Sequence, residues 1–131
     1  MSEENVETVR RIVGVFCARD WTTALNGYDE AVELDQSRMP DGGLYHGHQG
    51  MREFYRRWRG PGNTSTANPV EFIDTGDAIL VIMEISGTGK GSGAPVTMRT
   101  ADVYTVAGGK VVRHIGYPDA SQGLEAAGLR E

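Results

Sequence analysis

Asp102 is the residue of this chain best placed to do chemistry. It lies in the stretch Val96–Val106, and alternate residues of a β-strand share a face. Val96, Met98, Thr100, Tyr104 and Val106 fall on its side, so one carboxylate stands on a largely apolar surface. Desolvation disfavours the charged form of such a group, and a protonated acid can donate a hydrogen bond to a developing oxyanion. An ion pair with an arginine of a neighbouring strand accounts for Asp102 equally well. Asp35 ends an earlier strand and opens a long loop. A general base belongs in such a place, held by a scaffold yet reachable. An aspartate that simply forms a turn belongs there too.

Three histidines complete the titratable set. His46 and His48 form an H-x-H pair. Two imidazoles this close share a metal only with a third ligand, and none is suitably spaced, so no metal is expected. His48 is assigned to the start of a helix and His46 to the mouth of a pocket, as a second candidate base. His114 shares its strand face with Val112 and Gly116. An accessible histidine there titrates near neutral pH, and a packed one is a hydrogen-bonded structural residue. Glu84 is the one charged residue in AILVIMEI and is assigned to the frayed end of a sheet. Cys17 is the sole cysteine, so no disulfide forms within the chain, and a thiol at the end of a helix with no base beside it reads as packing.

The elements that position these groups are legible in the hydrophobic periodicity. Met51, Phe54, Tyr55 and Trp58 recur at i, i+3, i+4 and i+7, one face of a helix that opens with a turn at Gly47. Arg52, Glu53, Arg56, Arg57 and Arg59 take its solvent side. Val6, Val9, Ile12, Val13 and Phe16 form the buried stripe of a first helix, and Asp20 restarts the chain as a short second helix that Gly27 ends. Strands are expected at 31–34, 70–74, 78–85, 96–106 and 110–117, with Gly108-Gly109 as a tight turn. The segment 78–85 is apolar on both faces, so both need a cover. The tail after Pro118 makes a short helix at best. The expected order is α-α-β-α-β-β-β-β, in one domain over residues 1–131.

Bulk composition narrows the partners. A chain of 131 residues with 39% hydrophobic and 24% charged residues has an ordinary globular make-up. A net charge of −5 argues against a nucleic-acid partner. The N-terminus has no apolar signal segment and no run is long enough to span a membrane, so a cytoplasmic protein with no membrane partner is expected. P-loop, dinucleotide fingerprint, G-x-S-x-G and C-x-x-C motifs are missing, and no cofactor is expected.

The segments SEENVETVRRIV, AVELDQSRMPDGGLYHGHQGMREFYRRW, EFIDTGDAILVIMEISGTGKGSG and DVYTVAGGKVVRHIGYPDASQGLEAAGLRE together resemble a SnoaL-like domain. Such domains belong to the nuclear transport factor 2-like superfamily, with ketosteroid isomerase, scytalone dehydratase, limonene epoxide hydrolase and polyketide cyclases. The resemblance covers nearly the whole chain. It implies an α+β cone: a curved, mixed but mostly antiparallel sheet wrapped around helices, with a deep pocket and dimerisation through the sheet's outer face. It implies a small hydrophobic ligand touching Tyr45, Met51, Phe54, Tyr55, Trp58, Met98, Tyr104 and His114. Asp35 falls near the isomerase's general base and Asp102 near its oxyanion-stabilising aspartate. Ile12 stands where the isomerase has its catalytic tyrosine, which counts against steroid isomerisation. Arg99 and Asp102 only loosely suggest the epoxide hydrolase arrangement, because their spacing sets them on opposite strand faces. Two functions follow: a cofactor-free acid/base enzyme of the isomerase, cyclase or dehydratase kind acting on a small hydrophobic carbonyl compound, or a non-catalytic ligand-binding or dimerisation module.

Overall fold

The computed structural model describes residues 2–39, 42–59, 65–88 and 93–129; the side chains of Ser2, Trp58 and Arg59 lie outside the described set. Helix α1 (Ser2–Cys17) buries Val9, Ile12 and Val13 along one stripe, as the spacing requires. Asp20 caps α2 (Trp21–Leu25), its carboxylate accepting from the Thr23 amide at 3.2 Å. Strand β1 (Tyr28–Asp35) and strand β2 (Leu44–His46) lead into α3 (Gly47–Arg59). Gly47 takes φ +66, and a Cβ there would sit 2.9 Å from the Glu30 carbonyl oxygen, so the turn into α3 needs glycine. Strands β3 (Thr66–Asp74), β4 (Ile79–Thr88), β5 (Pro95–Ala107) and β6 (Lys110–Tyr117) follow, and α4 (Ala120–Ala126) is the last element.

The six strands form one curled, unclosed sheet in the order β2-β1-β6-β5-β4-β3. Its pairings are antiparallel except that of β1 with β6, which is parallel. The fold is therefore α+β, with a mixed and mostly antiparallel sheet. The inner face, carrying Val81, Met83, Tyr104 and Val111, packs on α1, α2 and α3 around Val9, Val13, Met51 and Tyr55.

Several features differ from the sequence expectation; strand β3, for one, starts at Thr66 rather than Val70. Strand β2 sits inside what reads as loop, because a three-residue strand carries too few alternations to register. Strand β1 starts at Tyr28 rather than Ala31, and an irregularity between Tyr28 and Glu33 breaks its alternation. The second apolar face of β4 is covered within the chain: Leu80, Ile82 and Ala101 pack with Ile73, Val103, Leu124 and Ala127 beneath α4. The chain's own tail thus covers part of this face of β4.

Candidate functional site

Strand parity decides which side chains reach the interior. In the β5–β6 pair Tyr104 stands opposite His114, and in the β1–β6 pair Leu34 stands opposite His114. These residues point inward with Asp102, two positions from Tyr104. Asp102 accepts a hydrogen bond from His114, Nε2 to Oδ1 at 2.8 Å, with side-chain exposures of 16% for the acid and 7% for the imidazole. The partner of Asp102 is thus a histidine rather than an arginine. Arg99 points to the other face and meets Glu84 at 3.7 Å, which places Glu84 in a solvent-side ion pair.

The other imidazole nitrogen, Nδ1, lies 3.3 Å from the Tyr28 hydroxyl. With Nε2–H directed at a carboxylate, a neutral His114 keeps its lone pair on Nδ1 and the phenol donates to it. Tyr104 stacks on the imidazole with ring centres 4.1 Å apart. Burial first, and neighbouring phenols and the Asp102 carboxylate next, push the Tyr28 and Tyr104 hydroxyls well above the ordinary tyrosine range. Burial does the same to Tyr55. The Cys17 thiol is pushed up to about 11, by burial and then by Asp102, which keeps it a packed, protonated group.

These groups surround a cavity of about 110 Å³. Phe16, Tyr28, Gln36, Met39, Phe54, Tyr55, Met83, Ile85, Met98, Thr100, Asp102, Tyr104 and His114 line it. The wall is mostly aromatic and thioether surface, with polar groups at a few points, the usual make-up of a small-ligand site. Among the described lining residues there is no lysine or arginine.

Of the residues selected from the sequence, Asp102, Phe54, Tyr55, Met98, Tyr104 and His114 meet at this cavity. Tyr45 and Met51 belong to the surrounding core; Tyr45 contacts Phe54 edge-on at 5.8 Å and Met51 is 1% exposed. The side chain of Trp58 lies outside the described residues. Asp35 and His46 do not line the cavity. Asp35 pairs with Ile115 and Leu44, so it alternates away from Leu34 and His114. Its carboxylate accepts from the Ser37 hydroxyl at 2.6 Å and amide at 3.0 Å and from Arg38 at 3.2 Å, and these bonds hold its pKa below the ordinary value. Asp35 is the turn-former of the two readings. His46 stands opposite Glu33 on the exposed side of β2. His48 donates from Nε2 to the Tyr28 carbonyl at 2.7 Å, tying the start of α3 to β1. Among the described residues no group of three or more His, Cys, Asp or Glu side chains could hold a metal ion.

Sequence reasoning missed Tyr28 and Gln36. Tyr28 precedes the irregularity in β1, so period-two counting does not reach it. Gln36 was within reach: it is two positions on from Leu34, and that parity points it inward. Gly116 on β6 makes room for it, since a Cβ there would lie 2.5 Å from Gln36 Nε2.

A curled, mostly antiparallel six-stranded sheet packed on helices, with a histidine–carboxylate pair on its inner face, defines an α+β fold of the nuclear transport factor 2-like kind. The SnoaL-like domain model matches residues 9–114, and the chain belongs to that family. The fold is also similar to an NTF2-like protein of unknown function from Burkholderia pseudomallei, at 26% identity and a TM-score of 0.76 over 95% of this chain and 97% of that one. TerC, solved with polyporic acid, is 25% identical with a TM-score of 0.76 over 95% and 98% of the two chains. A putative polyketide cyclase from Xanthomonas campestris shares the fold at 16% identity, with a TM-score of 0.71 over 96% and 98%. No protein among curated sequences matches the chain significantly. No helix among the described residues is long and apolar enough to cross a membrane.

Proposed function

We propose that this chain binds a compact neutral carbonyl compound and moves a proton on it without a cofactor, with Asp102 as the proton-transfer group. The observation that carries the reading is the 2.8 Å bond from His114 Nε2 to Asp102 Oδ1 at the wall of an apolar cavity. Only Oδ1 is engaged, which leaves Oδ2 to accept a proton from a carbon beside the substrate carbonyl. His114 orients the carboxylate and stabilises its charge. Tyr28, bonded to the second imidazole nitrogen, fixes the tautomer in turn. The electron pair left on carbon moves onto the carbonyl oxygen, and the proton on Oδ2 returns at another carbon or oxygen. This is the common core of isomerase, cyclase and dehydratase chemistry, and the structural likeness to TerC, solved with polyporic acid, supports a small organic ligand.

One observation favours a binding module instead. Asp35 and His46, the candidates for a second titratable group, lie away from the cavity. The two readings separate in deuterium oxide. For any neutral ketone the protein binds, proton NMR should show exchange at the carbon next to the carbonyl faster than in buffer alone. Saturable binding with no acceleration for any bound ketone selects the binding module.

A further inference from the structure

One buried polar atom among the described residues has no partner, and it lies at the cavity. No group stands in hydrogen-bonding geometry to the Tyr55 hydroxyl, although the Tyr28 phenol is near enough to act on its ionisation, and Tyr55 is only 2% exposed. Gln36 is 5% exposed. Its backbone is fully used, the amide donating to the Gly43 carbonyl at 2.8 Å and the carbonyl accepting from Met39 at 3.0 Å. No bond among the described residues engages its side-chain amide. Both side chains line the same cavity, Tyr55 from α3 and Gln36 from the end of β1. Buried polar groups are almost always satisfied, and an orphan costs the desolvation of that group with nothing in return. An orphaned hydroxyl and an amide with no bond among the described residues, both on the wall of one cavity, indicate groups held for a ligand.

We infer that Tyr55 and Gln36 are the recognition residues of this cavity, and that they select a neutral ring compound with two separate oxygen functions. The Tyr55 hydroxyl donates to a ketone oxygen. The Gln36 amide offers both a donor and an acceptor, so it suits a hydroxyl group, which also does both. Charge sets the remaining limit. The described lining holds the Asp102 carboxylate and no lysine or arginine, so a carboxylate or phosphate on the ligand would meet no countercharge. Gly116 is part of the same device, because a Cβ there would push the Gln36 amide from its present place. The inference rests on the small-ligand reading above and not on turnover, so it stands or falls by binding alone.

The test is a binding series on one bicyclic frame, followed by calorimetry: tetralin, 1-tetralone, 5-hydroxy-1-tetralone and 2-naphthoate. The wild-type protein should bind 5-hydroxy-1-tetralone at least about tenfold tighter than 1-tetralone, and 1-tetralone tighter than tetralin. Gln36→Leu should erase the advantage of the hydroxyl and keep that of the ketone. Tyr55→Phe should erase the advantage of the ketone. Gly116→Ala, which displaces the Gln36 amide without removing it, should behave like Gln36→Leu. Thermal melting of the free proteins separates this from a structural role: Tyr55→Phe deletes an orphaned hydroxyl and should melt at the wild-type temperature or above. Asp102→Asn should keep the wild-type order of affinities whether or not it abolishes proton exchange. The inference is overturned if 2-naphthoate binds as tightly as the hydroxyketone, if no member binds, if Gln36→Leu leaves the order unchanged, or if Tyr55→Phe melts below wild type.

Discussion

His114 holds Asp102 from one nitrogen and Tyr28 from the other, so three elements distant in sequence meet at one imidazole. Removing the ring removes more than a hydrogen bond. His114→Ala takes away the surface on which Tyr104 stacks and leaves the Asp102 carboxylate in the cavity wall without its donor. The expected loss is about 2–4 kcal/mol of unfolding free energy, read from urea denaturation. A loss within about 0.5 kcal/mol, the range of an ordinary surface change, would contradict the pairing.

The three buried phenols give a pH signature. Tyr28, Tyr55 and Tyr104 have folded-state values raised above the unfolded one. Their contribution to stability is therefore fully present below about pH 10 and is lost as pH climbs through the raised values. Absorbance at alkaline pH should report these three of the five tyrosines only as the protein unfolds. Ionisation of all five while near-ultraviolet circular dichroism stays native would contradict the burial.

Asp35 behaves in the opposite sense. Its value is lowered by Ser37 and Arg38, so its contribution is present above the ordinary carboxylate range and is lost as pH falls through the lowered value. Asp35→Ala should cost about 0.5–1.5 kcal/mol near neutral pH through the lost turn bonds, and progressively less in acid. Ligand affinity should not change, because the side chain lies outside the cavity. A large fall in affinity with stability intact would restore Asp35 as a site residue.

The cover over the outer face of β4 is also testable. Leu124 of α4 is half-buried against Leu80 and Ile82. Leu124→Ala should destabilise by about 1–2 kcal/mol, less than a fully buried leucine. Analytical ultracentrifugation of the variant and of the wild type would show whether uncovering this face promotes association. A neutral effect on unfolding would mean that α4 contributes no packing.

Much of this was legible in the sequence, and the limits have physical causes. The helical spacing of Met51, Phe54 and Tyr55 and the alternation around Asp102 are long enough to fix which face is inward, and Phe54, Tyr55, Asp102 and His114 do meet at the cavity. That His114 is the partner of Asp102 was not legible, since it depends on the β5–β6 register, and a register irregularity sits between Thr105 and Val106. The choice of Asp35 over Gln36 came from favouring chemical type over parity. Tyr28 was hidden by a break in the alternation of β1, and the cover by α4 required knowing where the tail folds back.

The central claim is that Asp102 transfers the proton, and one comparison tests it most directly. Asp102→Asn keeps an oxygen that accepts from His114 Nε2, so fold and affinity should be preserved. For a ketone that both proteins bind, deuterium exchange next to the carbonyl should fall by about a hundredfold or more in the variant, with the dissociation constant within about threefold of wild type. Equal exchange rates in the two proteins, at matched occupancy, would contradict the assignment of Asp102.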